Sequence, residues 1–343
     1  MNKKILLLIL AIGFAIGIGT AYNYYSKIFS ANTTQISTIY IPSNSDFDAV
    51  VEIVSPVLQN KSSFIWVAKK KNYHNIVKAG KYQLEKGMNN NDLVNLLRSG
   101  NQVTLKLSFN NQDTLEKLAG RIAEQIEPDS TSILIALTDQ VFLSKNSIKK
   151  EDALGMYIPN SYDFYWTTSS NDFRNKMLKE FHLFWTPTKE QQAKKQGLTV
   201  NEVITLASIV QKETATVSER PRVAGLYLNR LNNKWPLQAD PTIIFAIKQK
   251  QGQETVIKRV LLKDLEINSK YNTYKHLGLP PGPISMPDIS SINAVLNPEK
   301  HNYFYMCADV ENLGKHAFAK TLSQHNKNAA KYQRWISQQG INR

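Results

Sequence analysis

The segment Ala207-Ser-Ile-Val-Gln-Lys-Glu213-Thr places one carboxylate at the end of a predicted helix that is otherwise apolar. Thr199, followed three residues later by Glu202, is a capping box, which predicts that the helix begins there. One apolar face then follows at helical spacing: Val203, Leu206, Ala207 and Val210. Glu213 lies seven residues after Leu206, about two turns on, so its side chain extends the same face.

The position of Glu213 predicts an unusual protonation state. A carboxylate half sunk among apolar side chains has its charged form disfavoured, so its pKa rises. Such a group holds a proton near neutral pH and can deliver it to a leaving oxygen. The spacing alone leaves two simpler interpretations open: a surface glutamate at a frayed helix end, or one half of a structural ion pair.

A second predicted helix follows, and it carries a cation on its buried side. Arg230 lies seven residues after Val223, which is part of the apolar face of that helix. An unpaired guanidinium there would be costly, so we expect it either to extend outward along the last turn or to pair with a carboxylate. The candidate partners are Asp240, Glu219 and Glu213. We favour Asp240, because that pairing leaves Glu213 free to remain protonated.

The composition indicates an exported, basic protein. The net charge of +14 suggests an acidic partner, but the lysines are scattered and no nucleic-acid-binding motif accompanies them. A basic surface that faces an anionic cell wall or membrane fits better than nucleic acid. The single cysteine, Cys307, excludes an internal disulfide, so the fold depends on its core alone.

The N-terminus predicts a membrane anchor. Lys3 and Lys4 precede an apolar run over residues 5–21, and three tyrosines follow it at the position of an interfacial belt: Tyr22, Tyr24 and Tyr25. The positive-inside rule then places the N-terminus in the cytoplasm and the rest of the chain outside the plasma (inner) membrane. A cleaved signal peptide is the competing interpretation, which the length and aromatic exit of the segment disfavour.

Several sequence blocks between residues 198 and 326 resemble one family. They are ASIVQKET (207–214), SER (218–220), VAGLYLNRL (223–231), LQADPT (237–242), YNTY (271–274), GLPPGPI (278–284), YFY (303–305), GKHAF (314–318) and HN (325–326). In this order and at this spacing the chain resembles the YceG-like endolytic murein transglycosylases. The match is dense over this range and looser before it.

The resemblance implies an unusual way of breaking a glycosidic bond. In the family, one glutamate protonates the oxygen between N-acetylmuramic acid and N-acetylglucosamine. Its conjugate base then takes the proton of the C6 hydroxyl of the same muramic acid, which attacks C1 and leaves a 1,6-anhydro end. The catalytic glutamate of the family matches Glu213. The residues assigned to the groove or to orienting roles are Asn229, Arg230, Gln238, Asp240, Tyr271, Asn272, Tyr274 and His316.

Neither a cofactor nor a metal is expected. His316 and His325 do not have metal-ligand spacing with any cysteine, histidine or glutamate, so zinc is disfavoured. No phosphate-binding or dinucleotide-binding glycine motif is present, and no nucleophilic serine elbow. The expected partners are peptidoglycan glycan strands, the membrane, and peptidoglycan synthases of the elongation or division machinery, with no nucleic acid.

The sequence predicts an α+β protein in several parts. We expect a cytoplasmic tail (1–4), a transmembrane anchor (5–25), a linker (26–37), a small module (38–102) and a catalytic domain (103–343). The module has a strand–helix–helix–strand pattern that resembles the LysM-like module of these enzymes, in which case it holds glycan or acts as a spacer. A small domain without a binding function is equally compatible with the pattern.

Three other functions remain open at this point. A hydrolase of the same polymer would use Glu213 as the acid and Asp240 as the base for a water molecule. A non-catalytic wall-binding scaffold would work through the LysM-like module. An enzyme of nucleic acid or phosphate is the most distant of the three. The chemical nature of the product ends separates the first of these from a transglycosylase.

Overall fold

The computed structural model describes residues 3–338. Residues 1–2 of the predicted tail and residues 339–343 of the predicted catalytic domain lie outside this range. The described chain divides into two units. The first comprises the residues up to 107 with 124–128 and 162–169, and the second comprises 108–123, 129–161 and the residues from 170 onward. Helices and two-stranded sheets occur together, which confirms the mixed fold class.

The first unit joins a long N-terminal helix to a small group of helices and strands. Its elements are α1 (Lys3–Phe29), β1 (Ser37–Ile41), α2 (Phe47–Val54), α3 (Lys61–Lys70), β2 (Gly80–Leu84) and α4 (Asn90–Ser99). β1 and β2 pair in antiparallel fashion, with Ile39 opposite Tyr82. Both side chains are buried in a core that the three short helices complete. The strand–helix–helix–strand order is therefore present, followed by a further helix.

α1 is the one helix of residues 3–338 that is long and apolar enough to cross a membrane. It extends beyond the predicted anchor, because residues 26–29 continue the helix. After it, Ala31 and Thr33 form isolated β-bridges to Asn89 and Leu58. The predicted linker over 26–37 is thus helical over residues 26–29, and Ala31 and Thr33 then bridge to other segments of the first unit.

The C-terminal end of α1 packs on α3 and α4 of the same unit. The ring of Tyr24 stacks on that of Trp66 in α3 at a centroid distance of 5.3 Å. The side-chain amide of Asn90 donates to the carbonyl oxygen of Lys27 at 2.8 Å and to the hydroxyl of Ser63 at 2.9 Å. A buried amide with these partners fixes the helix end, since leaving its groups unpaired would cost about 1–3 kcal/mol.

Two strands form a further sheet, and most of the helices lie in the second unit. β3 (Thr104–Phe109) pairs with β4 (Asn160–Tyr165). The helices of the second unit before its core helix are α5 (Leu115–Ala123), α6 (Ser130–Leu137), α7 (Gln140–Lys145), α8 (Ser170–Phe184) and α9 (Pro187–Lys195). The remaining elements are α10 (Val200–Glu213), α11 (Arg220–Asn232), α12 (Asp240–Gln251), α13 (Ile289–Leu296), β5 (Tyr305–Ala308), β6 (His316–Ala319) and α14 (Leu322–Gln338).

α10 is the central helix of the second unit. The predicted capping box is confirmed: the amide N–H of Thr199 donates to Glu202, and the N–H of Glu202 donates to the Thr199 hydroxyl. Every residue from Val203 to Val210 is buried, and the helix packs against α11, α12 and α13. A helix that is buried all round is held by its neighbours rather than by intrinsic helix propensity.

The proline-rich segment 278–283 is held against α10. The hydroxyl of Ser208 in α10 accepts the backbone N–H of Ile284 at 3.0 Å. Gly282 approaches another part of the chain so closely that a Cβ there would lie 2.7 Å from the carbonyl oxygen of Glu151. Both contacts position this segment beside the helix that carries Glu213.

Candidate active site

Glu213 is the last residue of α10, and the chain turns away directly after it. Thr214 is buried and extended, and its N–H donates to the carbonyl oxygen of Val210 at 3.3 Å. Glu213 is partly exposed, whereas residues 203–210 of the same helix are all buried. The carboxyl group therefore lies where the core of the second unit meets solvent, so it can be largely desolvated and still reach a ligand.

The phenol of Tyr227 holds the carboxyl group of Glu213 in place. The Tyr227 hydroxyl donates to Oε1 of Glu213 at 2.6 Å, and the tyrosine is only 1% exposed. Tyr227 lies on the buried face of α11, which packs against α10. A rigid aromatic side chain thereby fixes one carboxyl oxygen, and the other has no hydrogen-bond partner among residues 3–338.

Burial raises the pKa of Glu213 to about 7. The hydrogen bond from Tyr227 and the charges of His316 and Arg230 favour the ionised form and oppose this rise, whereas the charge of Asp240 adds to it. Glu213 also lies at the C-terminus of α10, where the negative end of the helix dipole disfavours a second negative charge. Desolvation outweighs the opposing contacts, so both protonation states are populated near neutral pH.

Arg230 does not pair with Asp240, and this part of our prediction was wrong. Its guanidinium donates from Nε to the carbonyl oxygen of Phe304 at 2.8 Å and from an NH group to the carbonyl oxygen of Leu237. Backbone carbonyls satisfy this buried cation without cancelling its charge. Burial lowers the pKa of Arg230, but the group still contributes positive charge to Glu213. The sequence could not show these partners, because any residue supplies a carbonyl.

Asp240 pairs with a tyrosine instead. It is the first residue of α12 and is exposed, and its Oδ1 accepts the hydroxyl of Tyr274 at 2.6 Å. Burial, followed by this hydrogen bond, raises the pKa of Tyr274 above its usual range, so the phenol stays protonated and continues to donate. The structure thus orients a second carboxylate near Glu213, at the N-terminal end of a helix where a negative charge is favoured.

His316 belongs to a pair with Glu219 that our sequence analysis did not identify. Nδ1 of His316 lies 2.9 Å from Oε2 of Glu219, and the backbone N–H of His316 donates to Oε1 at 2.7 Å. Glu219 is only 6% exposed, and the ring and the backbone N–H of His316 together satisfy this buried carboxylate. With Nδ1 bound to Glu219, the ring orientation is fixed and Nε2 remains available.

Three of the predicted groove residues hold the fold together rather than face the solvent. Asn272 is fully buried, and its amide donates to the carbonyl oxygens of Leu265 and Ile267. Asn229 donates in the same way to two carbonyls of the segment before β5. Tyr271 is 8% exposed and packs on a neighbouring phenylalanine. These positions do not favour direct contact with a ligand, because the polar groups of the side chains already have hydrogen-bond partners or lie in the core.

Gln238 is exposed beside Asp240 and has a left-handed backbone with φ of 49°. Its backbone N–H donates to the carbonyl oxygen of Thr273, so the strained conformation is held by the segment before Tyr274. A side chain in this position lies next to the Asp240–Tyr274 pair. The structure therefore brings together Glu213, Tyr227, Asp240 and Tyr274, with Arg230 and His316 as nearby charges.

Tyr227 and Glu219 are the two residues whose roles the sequence analysis missed. Tyr227 lies within the sequence block 223–231, but the sequence pattern assigns it no role of its own. A buried tyrosine hydroxyl requires an acceptor, and this requirement was the signal that could have connected it to Glu213. Glu219 was considered only as a partner of Arg230. Within residues 3–338 no group of three or more histidine, cysteine, aspartate or glutamate side chains could hold a metal ion.

Comparison with known proteins finds one matching family and several relatives of the chain. The model of the YceG-like family matches residues 39–331. The endolytic murein transglycosylase of Bacillus subtilis (strain 168) is 32% identical over 338 residues, which cover 92% of this chain and 91% of that protein. The endolytic murein transglycosylase of Streptococcus pneumoniae (strain ATCC BAA-255 / R6) is 29% identical over 88% of this chain and 59% of that protein. A crystal structure of a yceG-like protein from Listeria monocytogenes has a TM-score of 0.57 at 32% identity, and the match covers 85% of this chain and 98% of that chain.

Replacement of Glu213 by glutamine is expected to stabilise the second unit at alkaline pH. The folded pKa of about 7 lies above the unperturbed value of 4.5, so the folded state binds the proton more tightly than the unfolded chain. The native protein therefore loses stability as pH rises between these values, whereas glutamine does not titrate. In thermal unfolding followed by circular dichroism, we expect the variant to unfold about 2–4 °C higher than the native protein above neutral pH.

The same comparison at acid pH is the control for this prediction. Below the unperturbed pKa, Glu213 is protonated in both the folded and the unfolded chain. The difference in unfolding temperature between native protein and variant should therefore largely vanish. Glu254→Gln, at an exposed position of the second unit, should show no such dependence on pH. A Glu213→Gln effect of equal size at acid and alkaline pH would contradict the raised pKa.

Proposed function

The chain belongs to the YceG-like family, and on this basis we propose that it is an endolytic murein transglycosylase, a lyase that cleaves peptidoglycan glycan strands within the chain. The observation that carries this proposal is the single carboxyl group of Glu213, whose pKa of about 7 suits an acid that must also serve as a base. The relatives from Bacillus subtilis and Streptococcus pneumoniae are both named endolytic murein transglycosylases.

Glu213 performs both proton transfers in this proposal. In the first, its protonated carboxyl donates to the glycosidic oxygen between N-acetylmuramic acid and N-acetylglucosamine while the bond from C1 to that oxygen breaks. In the second, the resulting carboxylate takes the proton of the C6 hydroxyl of the muramic acid as that oxygen bonds to C1. The product is a 1,6-anhydro end, the enzyme regains its proton, and no water is consumed.

The surroundings of Glu213 support both steps. Burial favours the protonated form before the first transfer, and the hydrogen bond from Tyr227 stabilises the carboxylate that exists between the two. His316 and Arg230 contribute positive charge in the same sense. Because His316 is fixed by the buried Glu219, its ring is held at a constant position while the substrate reacts.

Asp240 has a different role. Its ionised carboxylate, oriented by Tyr274, stabilises the positive charge that develops at C1 as the glycosidic bond breaks. Gln238 lies beside it and is available to bind the N-acetyl groups of the strand. A hydrolase would instead use Asp240 to activate water, but neither the relatives nor the oriented Tyr274–Asp240 contact favours that reaction over attack by the C6 hydroxyl.

The first unit anchors the enzyme at its substrate. We propose that α1 crosses the plasma membrane once, with Lys3 and Lys4 in the cytoplasm and the catalytic part outside. The antiparallel β1–β2 pair with α2 and α3 between its strands supports a LysM-like module within 38–102. The proposed catalytic domain over 103–343 contains α10 with Glu213 and the helices packed on it, although residues 124–128 and 162–169 belong to the first unit. Peptidoglycan synthases that make the strand beside the membrane are the proposed protein partners, since the enzyme would terminate the strands that they elongate.

Glycan strands digested by the full-length protein in detergent are expected to carry 1,6-anhydromuramic ends. Glu213→Gln keeps the size of the side chain and its hydrogen-bond acceptor but cannot transfer a proton, so we expect the activity to fall by at least about 10²–10⁴-fold. Mass spectrometry of the products measures both the amount and the chemical nature of the new ends.

Asp240→Asn separates the two possible reactions. If Asp240 only stabilises charge, this variant should be slower than the native protein but should give the same anhydro ends. Reducing ends from the native protein, which are lost in Asp240→Asn, would show a hydrolase. Cleavage by Glu213→Gln at the native rate would refute the assignment of the acid.

Tyr227→Phe is expected to shift the pH dependence of cleavage. The hydrogen bond from Tyr227 lowers the pKa of Glu213, so removal of the hydroxyl should raise that pKa above about 7. Because the free enzyme must be protonated to act, kcat/KM falls as pH rises through this pKa, and the falling limb should move to higher pH in the variant. Tyr165→Phe, at an exposed position of the first unit, is the matched control and should leave the limb unchanged. A shift to lower pH in Tyr227→Phe would contradict this account.

A further inference from the structure

A small apolar pocket lies along one face of α12. Four residues of this helix line it at i, i+3, i+4 and i+7 spacing: Pro241, Ile244, Phe245 and Lys248. Ile284, at the end of the proline-rich segment, lines the pocket from the side of α10, together with Lys212. The volume of the pocket is about 120 Å³. It is a separate feature from the Glu213–Tyr227 contact, and the mechanism above does not use it.

The pocket begins next to both proposed functional carboxylates. Lys212 directly precedes Glu213, and Pro241 directly follows Asp240. Consecutive Cα atoms are about 3.8 Å apart, so the lining of the pocket begins about one residue spacing from each of the two carboxylate-bearing residues. Two helices, α10 and α12, therefore carry both the carboxylates and residues that line the pocket.

Two lysines line the pocket, and only one of them is paired with a carboxylate. Lys212 forms an ion pair with Asp113 at 2.5 Å, so its charge is already compensated. Lys248 is only partly exposed, and its ammonium group has no ion pair or side-chain hydrogen bond with the described residues 3–338. An uncompensated cation beside an apolar floor favours a ligand that combines small apolar groups with a negative charge.

The size of the pocket limits the group that enters it. At about 120 Å³ the pocket is smaller than the roughly 300–1,000 Å³ clefts that hold whole small ligands. We therefore expect it to take a small substituent, such as one or two methyl-bearing units, rather than a whole sugar. In peptidoglycan the muramic acid carries such a substituent: a lactyl ether that continues into a short peptide with alanyl methyl groups and free carboxylates.

We propose that this pocket binds the lactyl-peptide stem of the muramic acid whose glycosidic bond is cleaved. Methyl groups of the lactyl and first peptide units lie on Ile244 and Phe245, and Lys248 pairs with a carboxylate of the stem. The inference rests on the proposed function, since it assumes a muramic acid at Glu213. It adds a substrate preference: strands that carry peptides bind more tightly than strands from which an amidase has removed them.

Binding by a non-cleaving form of the full-length protein tests this site. In the Glu213→Gln background, the dissociation constants for fluorescent peptide-bearing and peptide-stripped strands are measured in detergent by anisotropy. We expect tighter binding of the peptide-bearing strands by about tenfold, the factor that ~1.4 kcal/mol produces. Adding Lys248→Gln should remove this preference and leave the affinity for stripped strands unchanged.

Lys250→Gln is the matched control, because Lys250 is an exposed lysine of the same helix that does not line the pocket. It should keep the preference. Ile244→Phe, which fills the pocket without changing charge, should remove it and thereby tests the apolar part independently of Lys248. Circular dichroism of each variant verifies that the protein is folded.

Three results would overturn the proposal. Equal binding of both kinds of strand by the protein without pocket substitutions would show that no stem site exists. Equal loss of affinity for both strands in Lys248→Gln would assign the pocket to the sugar or its N-acetyl group. Equal effects of Lys248→Gln and Lys250→Gln would indicate general attraction by charge. Failure of the proposed function shows up separately, as absent anhydro ends in the cleavage assay while the binding preference is intact.

Discussion

Desolvation of one carboxyl group is the constraint on which the rest of the site depends. Glu213 ends a helix that is buried throughout residues 203–210, so its charged form lacks much of the hydration that it would have on a surface. The resulting preference for the protonated form opposes the hydrogen bond from Tyr227 and the nearby cations. The balance brings the pKa to about 7, where a single group can give a proton and then take one.

The architecture of the second unit serves this balance. α10 is enclosed by three helices, so burial of Glu213 follows from packing of the whole helix rather than from a local cover. The buried cation of Arg230 is satisfied by carbonyl oxygens and remains uncompensated by a carboxylate, and His316 is fixed by Glu219. Polar and charged groups are therefore held at fixed positions around the carboxyl group of Glu213. Ionisation of this buried carboxyl group lowers the stability of the fold, a cost that is typical of functional sites.

Sequence patterns predicted the local features of this structure well, and the contacts between distant segments poorly. The capping box at Thr199 and the apolar spacing up to Glu213 depend on neighbouring residues, and both the helix and the raised pKa are present in the structure. The partner of Arg230 could not be predicted, because its carbonyl acceptors come from segments distant in sequence whose side chains are irrelevant to the contact. Asn272 is assigned to the groove or to an orienting role by the sequence, but its amide donates to the carbonyl oxygens of Leu265 and Ile267 and so holds the backbone of its own segment.

The central claim is that the carboxyl group of Glu213 carries a proton near neutral pH. It is tested most directly by titration of that group itself. With carbon-13 in the side-chain carboxyl of glutamate, the resonance that disappears in Glu213→Gln identifies Glu213, and its chemical shift is followed from acid to alkaline pH. A midpoint of about 7 is the result that this account predicts. A midpoint near the unperturbed value of 4.5 would contradict it, because the group would then be ionised before any substrate bound.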